Sequence, residues 1–160
     1  MTDTYNWLVI VVTFIIAFVL TLLPMPDWTV WLRPAWILLV LTYWVTVMPY
    51  RVNVGTAWIV GICLDVLNGT LLGEHALALT VVTFVVARIH SQFRMFPLIQ
   101  QGLFVLLFVL LYQFIIFCIQ GFIGELPTSR LYWLSSVTSM LLWPWVFVIM
   151  HDSRRRFRVT

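Results

Sequence analysis

Apolar residues run along the chain in six stretches broken by proline, glycine or charge, and this pattern predicts six membrane-spanning helices. The stretches are about Trp7 to Leu23, Trp28 to Met48, Val54 to Leu67, Ala76 to Ala87, Pro97 to Ile123 and Leu131 to Met150. Pro24 and Pro26 close the first, Pro49 and Arg51 the second, and Asn68, Gly69 and Gly73 the third, because these residues do not extend a helix cheaply. A hydrocarbon core of about 30 Å needs about 20 helical residues. The third and fourth stretches fall short, so they are expected to extend into the connection from Asn68 to His75 or to be sheltered by neighbours. The fifth is long enough to tilt or to break.

Composition narrows the class. Of 160 residues, 62% are hydrophobic, 16% aromatic and 9% charged, whereas soluble domains are roughly half apolar and about a quarter charged. Six helices of about 20 residues leave roughly 40 for connections and tails. The expected fold is therefore all-α, a polytopic membrane protein forming one compact bundle over residues 1–160, with no room for a soluble catalytic domain. Met1 to Asn6 carries Asp3 and no basic residue, so the first stretch reads as a retained helix, not a signal peptide. Cys63 and Cys118 lie in apolar runs and behave as small hydrophobes, implying neither disulfide nor zinc.

Charge sets orientation. The basic residues are all arginines, nine in number, against six acids, for a net charge of +3. Four of them, Arg154, Arg155, Arg156 and Arg158, fall in the tail 151–160, which marks a cytoplasmic end before it suggests nucleic acid and also offers a surface for anionic lipid or for a cytoplasmic protein. Six spans then place both termini in the cytoplasm. Arg51, Arg88 and Arg94 join them inside, while Arg33 and Arg130 lie outside with Asp27, Glu74 and Glu125. Trp7, Trp28, Trp31, Tyr50, Trp133, Trp143 and Trp145 fall near span ends, as an interfacial belt requires.

Few residues can carry chemistry. Asp65 sits within the third stretch, where a carboxylate costs several kcal/mol unless it is paired, protonated or wet. Asn53, Ala57, Gly61, Asp65 and Gly69 recur every fourth residue and form a small-residue ridge that another backbone can approach. Asp65 is thus expected to face inward on a close helix contact, with Arg33 or Arg130 as charge partner, holding the fold or a partner helix. The alternative is an Asp near a helix end, wetted from outside. Glu74 and His75, after the flexible Gly69 to Gly73 loop, read as capping and surface residues, since no third metal ligand is near. His90 and His151 read as solvated. Gln113 with Gln120, and Ser135 with Ser139, read as interhelical polar contacts. Nucleophile elbows, zinc-protease motifs, phosphate loops, C-x-x-C pairs and paired intramembrane carboxylates are all missing, so no catalytic, metal or cofactor site is expected.

The residue order Arg33-Pro34-x-Trp36, Tyr43-Trp44, Pro49-x-Arg51-Val52-Asn53-Val54-Gly55-Thr56, Leu64-Asp65, Gly69-x-x-Leu72-Gly73 and Leu142-Trp143-Pro144-Trp145 resembles the rod shape-determining MreD family over nearly the whole chain. The resemblance implies an inner-membrane, non-enzymatic subunit of the elongation complex that inserts side-wall peptidoglycan. It implies MreC as partner, in an assembly with the actin-like MreB, the RodA glycosyltransferase and the elongation-specific penicillin-binding transpeptidase. It also implies a fold similar to the substrate-binding subunits of energy-coupling-factor vitamin transporters. The ridge with Asp65 and Gly73 is where the MreC helix or a neighbouring helix of this chain would dock. An uptake subunit for a small molecule such as a vitamin is the alternative. It should show a polar pocket on the outer side and an Ala-x-x-x-Ala pattern in the first helix, where this chain has Ala17 and Thr21.

Overall fold

A computed structural model describes residues 2–29, 32–125 and 130–158. The described residues form helices joined by short connections, with no strand among them. The helices are α1 (Thr2–Leu22), α2 (Trp36–Val47), α3 (Val54–Asn68), α4 (Glu74–Met95), α5 (Leu98–Ile123) and α6 (Leu134–Arg156), the last preceded by a 3-10 turn over Arg130–Trp133.

Polar contacts fix the course of the chain between two ends of one body. At the basic end Arg51, after α2, bridges Asp3 of α1 at 2.6 Å, and the rings of Tyr5 and Phe157 lie 5.9 Å apart. At the opposite end Arg33, before α2, donates to the carbonyls of Thr21 and Leu23 where α1 finishes, and Ser135 of α6 donates to the Arg33 carbonyl. Gln120 of α5 donates to Glu74 of α4, while Gln101 at the start of α5 donates to the carbonyls of Phe93 and Phe96. Six helices therefore alternate in direction, and both described ends of the chain meet at the basic end.

Helix α2 lies at the centre. Every residue from Ile37 to Thr46 is buried, as expected of a helix that is apolar all round. Its Trp44 indole N–H donates to Thr13 of α1 at 2.9 Å, and Tyr43 meets Phe147 of α6 edge-on. Outward faces elsewhere carry Leu8, Val11, Ile15, Ile59, Val66, Ile99, Leu107 and Val148, each about half exposed or more. Such an apolar surface is lipid-facing. Four helices are long and apolar enough to cross a membrane, namely α1, α4, α5 and α6 with its 3-10 turn, whereas α2 and α3 are shorter. At 1.5 Å per residue the two span about 18 and 22 Å.

Several expected boundaries move. The second stretch was expected from Trp28, yet α2 begins at Trp36, because Pro34 disfavours helical geometry at Arg33 and removes a donor. The fourth was expected to stop at Ala87, but α4 continues to Met95, with Arg88 seated over the Phe84 ring. Long arginine stems keep their charge at the membrane margin without ending the helix. The fifth is one unbroken helix. The sixth passes through Pro144 to Arg156, so Arg154 to Arg156 form a last helical turn, where cations complement the dipole. Trp143 leaves the expected aromatic belt: it is fully buried, with its N–H donated to Gln101. Trp31, placed in that belt, lies outside the described residues.

Candidate functional site

The two buried carboxylates, Asp65 and Glu74, lie at the end opposite the arginine-rich tail, around the turn from α3 to α4. Asn53 starts α3 as its N-cap, its side chain accepting from the Gly55 N–H at 3.0 Å. Further along the same ridge Ala57, Gly61 and Asp65 are buried, while Asn53 and Gly69 are exposed. The buried part packs on α4 of the same chain. A Cβ on Gly61 would fall inside the van der Waals shell of the Ala76 Cα, so only glycine permits this approach.

Gly69 and Gly73 both adopt positive φ, +67° and +101°, which turns the chain tightly enough to lay the N-terminus of α4 over the last turn of α3. The side chain of Asp65, fully buried, then receives that N-terminus. One oxygen accepts from the His75 N–H at 2.9 Å, from His75 Nδ1 at 2.7 Å and from the Thr70 hydroxyl at 3.1 Å. The other accepts from the Gly73 N–H at 2.8 Å and the Ala76 N–H at 3.4 Å. An ionised carboxylate offers about four lone-pair sites, so five donors fill it. Because a carboxylate only accepts, His75 Nδ1 carries the proton and Nε2 is left on the far side of the ring. Asp65 caps α4 from outside its own helix, where the positive end of the dipole favours the anion. With its acceptor capacity filled it can hold two helices together, but it has no lone pair to offer a substrate as a base.

The side-chain partner of Asp65 is thus His75. Arg33 donates instead to backbone carbonyls that finish α1, and Arg130 is exposed. Among the described residues Asp65 pairs with neither arginine. Glu74 and His75 are not surface residues either. Glu74 is buried and accepts from Gln120 Nε2 at 3.0 Å, and the His75 ring lies 6.1 Å from that of Tyr112. Sequence reasoning missed this because it judged Glu74 and His75 as neighbours of each other. The available signal was the short two-glycine loop after Asp65, which returns the chain to that carboxylate. Gln113 Nε2 donates to the Tyr132 carbonyl, and Ser139 Oγ accepts from the Ala35 N–H, so these polar residues tie α5 and α6 to neighbouring segments.

Against these contacts lies a cavity of about 410 Å³, bounded by Arg33, His75, Tyr112, Gln113, Tyr132 and Ser135 among others. A polar pocket at this end is what a small-molecule carrier was expected to have. The matching first-helix surface is absent, since Ala17 is buried in the core and its carbonyl accepts from Thr21. Among the described residues no group of three or more His, Cys, Asp or Glu side chains could hold a metal ion. At the basic end Arg156 pairs with Asp152 at 3.4 Å, while Arg155 and Arg158 are exposed.

A family model described as rod shape-determining protein MreD matches residues 1–152. The chain belongs to the MreD family. The Rod shape-determining protein MreD of Haemophilus influenzae (strain ATCC 51907 / DSM 11121 / KW20 / Rd) is 38% identical to it over 157 residues, covering 96% of this chain and 95% of the relative. No solved structure matches. Membership makes this a rod shape-determining, multi-pass protein of the inner membrane. In MreD terms, Leu64-Asp65 and Gly69 to Gly73 form the α3–α4 clasp just described.

Proposed function

We propose that this chain is a non-enzymatic subunit of the elongation complex that binds MreC within the membrane and helps to organise side-wall peptidoglycan synthesis. The assembly it serves includes MreB, RodA and the elongation-specific penicillin-binding transpeptidase. The observation that carries the reading, beyond family membership, is the filled carboxylate of Asp65: the most costly intramembrane group joins two helices and is not left free for catalysis. The ridge of Ala57 and Gly61 is taken by α4 of the same chain, so MreC meets the lipid-facing surface of the bundle. All six helices cross the membrane in this reading, with both termini cytoplasmic. The alternating helix directions and the meeting of Tyr5 with Phe157 support it, as does the arginine bias toward that end. The tail arginines fix orientation and touch anionic lipid. A six-span bundle of this kind is similar to the substrate-binding subunits of energy-coupling-factor transporters.

Purification from membranes in mild detergent, followed by identification of bound chains, tests the proposal. MreC is expected at a fixed ratio. Recovery of an energising transporter subunit in its place would sink the scaffold reading.

A further inference from the structure

A second cavity, at the arginine-rich end, has no part in the α3–α4 clasp. Helices α2, α4, α5 and α6 converge there on a space of about 200 Å³, lined below by the buried Phe93 and Trp143 and at its rim by Arg94, His151 and Arg154. Arg94 lies in the last turn of α4 and Arg154 in the last turn of α6, so two like charges from different helices meet at one opening. Among the described residues that line it, none is a carboxylate. The acids at this end are engaged elsewhere, Asp3 with Arg51 and Asp152 with Arg156, and Arg94 has no ion pair with a described residue. The C-termini of α2, α4 and α6 contribute about half a negative charge each and the N-terminus of α5 about half a positive one, so two guanidiniums leave the opening net positive. Deeper polar groups are satisfied within the chain: Gln101 donates to the carbonyls of Phe93 and Phe96 and accepts from Trp143, and Thr46 donates to the Thr42 carbonyl. The excess charge is therefore at the rim. The volume is smaller than the about 300–1,000 Å³ of sites that enclose a whole small molecule, which suits one end of a longer one. Met95 and Ile99, each 84% exposed, adjoin Arg94 and the start of α5 and offer apolar surface for the remainder.

We infer that this opening seats the phosphate of an anionic phospholipid, with Arg94 and Arg154 as its charged contacts and the acyl chains against the apolar surface at Met95 and Ile99. Basic pockets between membrane helices hold phosphate headgroups in this way, and guanidinium suits the task because it meets phosphate oxygens with paired, charge-assisted hydrogen bonds. The inference deepens the reading that the tail touches anionic lipid and rests on it for the source of the phosphate. It differs in assigning one discrete site, which includes Arg94 of α4 and leaves out Arg155 and Arg158.

Native mass spectrometry of the full chain released from detergent micelles tests it, with phosphatidylglycerol, phosphatidylcholine or inorganic phosphate added. Micelles hold neither MreC nor two membrane faces, so the outcome is independent of partner and orientation. One phosphatidylglycerol per chain is expected to stay bound under conditions that strip phosphatidylcholine. Each arginine at an anionic surface is worth about a factor of five, so Arg94→Gln should weaken retention about fivefold and Arg94→Gln with Arg154→Gln about 25-fold, whereas Arg94→Lys keeps most of it. Arg155→Gln with Arg158→Gln removes two charges outside the cavity and should leave retention near that of the parent. Arg94 is exposed, so its substitution stays informative if Arg154→Gln lowers the yield of folded protein. Equal retention of the two lipids, retention that survives loss of both Arg94 and Arg154, or binding of inorganic phosphate without lipid would overturn the site. A loss with Arg155 and Arg158 as large as that with Arg94 and Arg154 would also overturn it, while leaving a diffuse contact of the tail with lipid, and the proposed function, standing.

Discussion

Asp65 receives its five donors from residues 70 to 76, and four of these groups are backbone or side-chain N–H atoms that have no other described partner of comparable geometry. Removing the carboxylate strands them in an apolar setting. Asp65→Ala should therefore cost about 3 kcal/mol or more, since each buried donor left unsatisfied carries a penalty of about 1–3 kcal/mol. It should show as a lower unfolding midpoint in detergent and a lower steady-state level in membranes. Asp65→Asn keeps one acceptor but points an amide N–H₂ at other donors, so a loss of about 1–3 kcal/mol is expected. Equal stability of Asp65→Ala and the parent would show that the clasp does not hold α3 to α4. Arg33, by contrast, serves two carbonyls that the end of α1 leaves unpaired, which is a capping role any residue-type argument about charge pairs overlooks.

The α3–α4 hairpin depends on two kinds of glycine. Gly61 is needed for space and Gly69 for backbone conformation. Gly61→Ala must push the helices apart and should cost about 1–3 kcal/mol, whereas Gly69→Ala meets no neighbour and should cost about 1 kcal/mol for its left-handed φ. Denaturant unfolding of the two variants side by side checks the order, and the reverse ranking would refute the close approach at Ala76. Helix identity was legible along the chain wherever an apolar run is long: α5 was expected from Pro97 to Ile123 and occupies Leu98–Ile123. The start of α2 was not, because the aromatic and apolar residues after Trp28 suit a membrane margin as well as a span. The last turns of α4 and α6 were hidden by their arginines, which a helix end tolerates at the lipid surface. The ridge of small residues could be read from its period of four, but its occupant could not, since spacing alone does not distinguish a neighbouring helix from a second protein. His75 was missed because its partner lies ten positions back.

At the scale of the whole molecule, the two described ends of the chain meet. Cysteines at Tyr5 and Phe157 (Tyr5→Cys with Phe157→Cys, in a background lacking Cys63 and Cys118) should be joined within native membranes by a short bifunctional thiol reagent, as the 5.9 Å ring separation requires. Reporter tags fused at the two ends should both read cytoplasmic, and one periplasmic signal would break the even number of crossings. Replacing Arg154, Arg155, Arg156 and Arg158 by Gln should lower the fraction of molecules in that orientation, read by protease protection, because the orienting charges are then reduced to Arg51, Arg88 and Arg94 on that side. The clasp also bears on biosynthesis. The ribosome delivers Asp65 before any of the groups that neutralise it, so a nascent α3 presented alone to the translocon exit would carry a naked anion toward lipid. Release of α3 together with α4, as one hairpin in which Gly73, His75 and Ala76 already hold the carboxylate, avoids that cost.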